Sequence, residues 1–238
     1  MTDPLLLTGE VDAATDRLFR TAARFDGTDL SAASLLPGWT RGHVLAHLAR
    51  NADGLVNLLT AARTGEHVPM YASATARETE ITAGAARPPE ALLDDLRLCA
   101  DRFTEAVAAM PAEAWAATVQ GRSGRPLPAA TLVWARLREI EVHHVDLAAD
   151  YRPADWSEPF AHRLLHEVTA GLADRTDAPA MVLRFDGVRH QLVVGAAEHA
   201  PTITGPACEL AAWLTGRFDG RTLTVVPDGP LPLPPEWM

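Results

Sequence analysis

Apolar residues return every third or fourth position through the first two-thirds of the chain. Val11, Ala14, Leu18, Ala22 and Phe25 form one such stripe and predict a helix over about residues 9–26. After Pro37-Gly38, Thr40 is a good N-cap for a second helix. On it Val44, Leu48, Ala52, Leu55, Leu59 and Ala62 share a face, and Gly65 ends it. A third helix begins at Pro88-Pro89 and carries Leu92, Leu96, Cys99, Phe103, Ala106 and Met110. A fourth, about residues 130–149, aligns Val133, Leu137, Ile140, His144 and Leu147. The connection from Glu66 to Arg87 is long for a structureless loop, so it is either partly helical or functional. A polar loop with Gly121, Gly124, Pro126 and Pro128 separates the third helix from the fourth. Four amphipathic helices in succession, with no strand pattern among them, predict a four-helix bundle.

The pattern changes after Tyr151. Ser157 caps a fifth predicted helix that runs to about Ala173. Met181 to Phe185 and Gln191 to Val194 read as short strands, with Asp186-Gly187 as a turn signal between them. Thr202 to Thr204 reads as a further strand, Pro206 to Gly216 as a helix and Thr222 to Val226 as a last strand. The proline-rich tail from Pro227 is extended. The fold class expected is therefore two-domain α+β: a four-helix bundle over residues 1–152 and a small α/β domain over residues 153–238.

Composition narrows the possible roles. The 238 residues carry 21 basic against 31 acidic groups, a formal net charge of −10. Phosphate-backbone binding needs clustered positive charge, so nucleic acid is excluded as the expected partner. Every basic residue is an arginine, because the chain has no lysine. Schiff-base catalysis and a phosphate-loop lysine are thereby excluded. Together with the scarcity of asparagine and isoleucine, the absence of lysine fits GC-rich coding. No apolar run reaches the ~18 residues of a membrane span. Met1 to Glu10 has no basic stretch of the secretory kind, so no membrane partner and a cytoplasmic location are expected. Cys99 and Cys208 both fall in apolar helical patterns and read as reduced thiols rather than a disulfide.

The spacing of the histidines adds candidate chemistry. Glu139 and His143 are four residues apart, so they sit one turn apart on one flank of the fourth helix. His47 occupies the matching flank of the second helix. Two imidazoles and a carboxylate make a three-ligand set with open positions, as in catalytic rather than structural metal sites. The same spacing relates His43 to His47 and His162 to His166, so it does not by itself select a site. His144 lies on the apolar stripe and reads as a core histidine. No G-x-S-x-G elbow or nucleotide-phosphate loop is present.

An ordered series of motifs goes further. Gly38-Trp39-Thr40-Arg41-Gly42-His43-Val44-Leu45-Ala46-His47 resembles the start of the metal-binding helix in the mycothiol-dependent maleylpyruvate isomerases of actinobacteria. The likeness continues through Asn51, Asn57, Thr64-Gly65-Glu66, Pro69-Met70-Tyr71, Arg138-Glu139, His143, Val145-Asp146-Leu147, Gly216-Arg217 and Pro234-Pro235-Glu236-Trp237. The resemblance implies a DinB-like four-helix bundle followed by a sterol-carrier-like α/β domain. It implies zinc on His47, Glu139 and His143 and a catalytic arginine at Arg217; Arg77 is a second candidate for anion contact, and Arg77 and Asn51 are the candidate cofactor-binding residues. The implied reaction is cis–trans isomerisation of maleylpyruvate to fumarylpyruvate with mycothiol as cofactor. A thiolate added reversibly to the electron-poor alkene makes the double bond temporarily single, and zinc keeps the thiol deprotonated. A fixed guanidinium suits a carboxylate or developing enolate. The implied partners are a small anionic substrate and a low-molecular-weight thiol, in a monomer or weak homo-oligomer. The alternatives are a mycothiol-dependent S-transferase acting on another electrophile, or a non-catalytic zinc-binding regulatory module. The His/His/Glu set also suits iron or nickel.

Overall fold

The computed structural model describes residues 4–173, 175–186 and 190–237, and the chain forms two compact units, Met1–Ala149 and Asp150–Met238. Gly187, in the predicted Asp186-Gly187 turn, lies outside the described residues.

The first unit is helical. After a 3-10 turn, Pro4–Leu7, come α1 (Thr8–Ala22), α2 (Gly27–Ser31), α3 (Arg41–Thr64), α4 (Ala74–Ala85), α5 (Pro89–Ala108) and α6 (Leu132–Asp146). The four long helices predicted from periodicity are α1, α3, α5 and α6, and they pack as the bundle. Helix α3 is the central member, touching α4, α5 and α6. Its start follows the Thr40 signal: the Thr40 hydroxyl accepts from the His43 N–H, and the His43 ring returns to Thr40. Its apolar stripe is sealed, with Val44, Leu48, Ala49 and Ala52 all fully buried. Leu92, Leu96, Cys99 and Phe103 of α5 and Val133, Leu137 and Ile140 of α6 complete that core.

Two local features differ from the sequence expectation, and the 66–87 connection proves partly helical, one of the two readings open to it. Helix α1 stops at Ala22 rather than near residue 26, because Asp26 and Asp29 form a capping box that starts α2. The 66–87 connection contains α4, capped by the Ser73 hydroxyl on the Ala76 N–H. The polar loop around residue 121 holds an antiparallel hairpin, β1 (Thr118–Gln120) with β2 (Pro126–Pro128). Strands of three residues with prolines at both ends of one give no alternation to read, and each proline removes a ladder donor.

Helix α4 lies unusually close to α3. A Cβ placed on Gly84 would sit 2.8 Å from the Ala46 Cβ, so only glycine permits this approach. The approach brings α4 alongside the turn of α3 that carries His47.

The second unit contains α7 (Glu158–Leu172), β3 (Met181–Phe185), β4 (Leu192–Val194), β5 (Thr202–Gly205), α8 (Ala207–Leu214) and β6 (Thr224–Val226). Sheet order is β4-β3-β5-β6, with β3 and β5 parallel and the outer pairs antiparallel. Met181, Val182, Leu183 and Phe185 are all buried, as expected for an interior strand covered on both faces. Helices α7 and α8 pack on each other, and α8 rests on β3 and β5. This mixed α/β unit following a helical unit agrees with the expected fold class. Among the described residues, no helix is long and apolar enough to cross a membrane.

Leu96 is fully buried at the contact of α5 with the rest of the bundle. Leu96→Ala should cost about 2–5 kcal/mol in denaturant unfolding, through lost burial and the cavity left behind. A loss under about 1 kcal/mol would show that the bundle core is not packed as described.

Candidate metal centre

Two helices bring the candidate ligands together. His47 is on the second turn of α3, and Glu139 and His143 are on successive turns of α6. The His47 Nε2 is 3.0 Å from the Glu139 Oε2 and 3.2 Å from the His143 Nε2, and the His143 Nε2 is 3.5 Å from the same carboxylate oxygen. His47 is buried, and Trp39 packs edge-on against its ring at 5.5 Å between centroids. This is the only group of three or more possible ligand side chains found among the described residues.

Electrostatics favour a ligand set. Burial pushes the His47 ring down to about 4, only partly offset by its hydrogen bond to Glu139. Burial opposes ionisation of Glu139, but hydrogen bonds from His143 and His47 outweigh it and hold the carboxyl well below its usual range. Burial likewise opposes a charged His143, yet Asp146 and Glu139 raise it above its ordinary value. At neutral pH the cluster thus holds an ionised carboxylate and a neutral His47.

The donor set fits a cation. Two Nε2 atoms 3.2 Å apart, both facing one carboxylate oxygen, bring together lone pairs that a shared cation would satisfy. A tetrahedral ion with bonds of about 2.0–2.1 Å sets its ligand atoms about 3.3 Å apart, close to the separations seen. Asp146 supplies the outer support: its carboxylate is 2.8 Å from the His143 Nδ1, which fixes the proton there and points Nε2 at the cluster. Asp146 is itself fully buried. Its site role was missed in the sequence, where its signal was the i, i+3 spacing from His143.

Behind His47 stands a donor instead. The Arg77 guanidinium on α4 reaches the His47 Nδ1 at 3.0 Å, so that nitrogen must accept. The proton of neutral His47 is then on Nε2, facing Glu139. A cation on Nε2 requires the proton on Nδ1, which excludes the Arg77 contact. Arg77 also lies 5.6 Å from the Tyr71 ring centre, and its Nε is buried without a hydrogen-bond partner.

The remaining candidates are placed as follows. Asn51, one turn beyond His47, is buried and accepts from the Arg136 guanidinium at 3.1 Å. Arg136 also donates to the Leu48 carbonyl and is fully enclosed; burial lowers it to about 10, against the pull of Glu139. This second buried cation was not singled out in the sequence, although an arginine beside the α6 apolar stripe was there to be read. His43 serves the α3 cap, and His144 is buried with its Nε2 2.8 Å from the Thr21 hydroxyl.

Arg217 belongs to the second unit, just past α8. Its backbone N–H closes on Ala212 at 2.7 Å and that of Gly216 on Trp213 at 3.1 Å, with Gly216 at φ 77°. These two bonds and the left-handed glycine form a Schellman ending that fixes where Arg217 leaves the helix. The guanidinium donates to the Thr215 carbonyl and lies over Trp237 at 5.6 Å.

A helical bundle with a partly buried His/Glu/His cluster, followed by a small α/β unit, can be compared with known proteins. A family model described as the mycothiol maleylpyruvate isomerase N-terminal domain matches residues 11–148, and the MDMPI C-terminal domain matches residues 155–236. The crystal structure of the mycothiol-dependent maleylpyruvate isomerase aligns over 100% of both chains at 31% identity with a TM-score of 0.89. A histidine-to-alanine mutant of that isomerase aligns over 100% of both chains at 30% identity with the same TM-score of 0.89. No curated protein matches the chain. The chain belongs to the mycothiol-dependent maleylpyruvate isomerase family, a family of enzymes.

Two outcomes are expected. Below its raised value His143 is protonated and must lose that proton to bind a cation. Zinc affinity of the stripped protein should therefore strengthen as pH rises through that value and level off above it, while His47, lowered to about 4, adds no slope near neutrality. Calorimetric zinc titrations at several pH values read this, and affinity that falls with rising pH would contradict it. Arg77→Ala should bind zinc no more weakly than the parent and up to about tenfold more tightly, since it frees the His47 Nδ1; weaker binding would show that Arg77 supports the ligand.

Proposed function

We propose that this chain isomerises maleylpyruvate to fumarylpyruvate with mycothiol, using a zinc ion held by His47, Glu139 and His143. The convergence of those three side chains carries the proposal, in a chain of this family. Bound together, the ion and the thiol supply a nucleophilic sulfur at neutral pH, the means of making the substrate's double bond temporarily single.

The chain's own residues do the rest. Two neutral imidazoles and one carboxylate leave an excess positive charge and an open position at the cation. Asp146 holds the His143 proton on Nδ1 and so keeps its Nε2 available. Trp39 covers one side of His47 and limits water there. Arg217 is assigned to a carboxylate of the substrate or to the enolate that develops when sulfur adds. The protein is acidic overall, so an anionic substrate needs such a local cation. Dependence on a reduced thiol favours the cytoplasm.

The purified, zinc-loaded protein should form fumarylpyruvate from maleylpyruvate only when mycothiol is present, followed by absorbance or chromatography. No isomerisation with mycothiol present would overturn the proposal, and uptake of the thiol by another electrophile would move it to the transferase. His47→Ala should lose zinc and turnover while keeping its helical circular dichroism. Arg217→Ala should keep zinc and lose about 100-fold or more in turnover; an unchanged rate would remove its role.

A further inference from the structure

A cavity of about 570 Å³ lies within the first unit, apart from the three ligand side chains. Its walls are the Gly65–Tyr71 loop, the first turn of α4, and the β1–β2 hairpin. Arg77 is part of the wall and also touches His47, so the cavity reaches to one side chain from the metal cluster. Tyr71 shares that wall, held under Arg77.

The cavity is built rather than incidental. A Cβ on Gly54 of α3 would lie 3.0 Å from both the Met70 and Tyr71 side chains, so the helix leaves room for the loop to seat there. Asn57 then donates to the Met70 carbonyl at 3.2 Å and pins the loop. The Tyr71 phenol is raised by burial and remains a neutral O–H group. The Arg77 Nε is buried without a hydrogen-bond partner.

Size and charge identify the occupant's class. The volume falls in the range of pockets that enclose drug-sized ligands, and a small diacid would leave much of it empty. Arg77 and Arg122 on the wall are offset by Glu66 and Glu78, so the lining has no excess positive charge for a dianion. It offers instead both donors and acceptors, with Gln120 and Ser73 among them, to a neutral ligand rich in hydroxyls. Mycothiol has such a portion, a glucosamine joined to inositol, with its sulfur at the other end.

We propose that this cavity binds the glucosamine–inositol portion of mycothiol, with Arg77 at the end nearest the metal ligands. The assignment rests on the thiol dependence proposed above and adds where the sugar is recognised. The S-methylated form of mycothiol, which keeps the sugar and inositol but offers no thiolate, separates this binding from that of the sulfur. It is titrated calorimetrically into the zinc-loaded parent, Ala74→Trp and Arg122→Ala. Ala74 and Arg122 are exposed on the cavity wall, so neither substitution disturbs the core. Binding to the parent is expected, weakened about tenfold or more by each substitution, with zinc content and thermal unfolding unchanged. Equal affinity in all three proteins, or no binding to the parent, overturns the assignment. A parent that binds the S-methyl form in this cavity but shows no mycothiol-dependent isomerisation overturns the catalytic proposal and leaves the cavity assignment standing.

Discussion

The Glu139 carboxylate, half-buried between the His47 and His143 rings, sets the terms for everything around it. A buried carboxylate without partners costs several kcal/mol or shifts toward its neutral form. Here it stays ionised because two imidazoles face it from different helices, at 3.0 and 3.5 Å. That arrangement holds only if α3 and α6 keep a fixed separation and rotation. The apolar stripes on both helices enforce it, with Leu48 on one and Leu137 and Ile140 on the other essentially sealed from solvent. The core is thus the rigid support for the cluster, as a ligand set that must hold sub-ångström geometry requires.

The surroundings of the two histidines are asymmetric. His143 has an anion behind it in Asp146, which suits a metal-bound imidazole. His47 has a cation behind it in Arg77, which suits a metal-free one. The first contact is an i, i+3 pair within α6, whereas the second depends on helix placement: Arg77 reaches His47 because α4 lies against α3 at Gly84 and Ala46. Arg77 is consequently shared by two environments, the cluster on one side and the cavity on the other.

Most of the secondary structure was legible because its signals were strong and local. Thr40 and Gly65 bracket α3, Pro88-Pro89 opens α5, Ser157 caps α7, and a short apolar run marks β3. What escaped was short. The α2 capping box and the β1–β2 hairpin are too brief or too proline-interrupted for periodicity to register. The cluster was half legible, since E-x-x-x-H spacing puts Glu139 and His143 on one face. His47 rather than His43 is read from the matching flank of the second helix and then from the motif likeness, and the structure supplies a local basis: His43 is spent on the helix cap.

The sequence by itself determined most of the elements, the family and the candidate ligands of a cation. These depend on local propensity, capping and the order of motifs, all of which are written along the chain. Only the tertiary structure decided that Arg77 stands behind His47, that Arg136 is buried against α3, and that the 65–73 loop and the hairpin enclose a cavity. Those outcomes depend on how closely helices approach and which side chains meet across them. Such distances are set by the packing of the whole unit, and no window of sequence contains them.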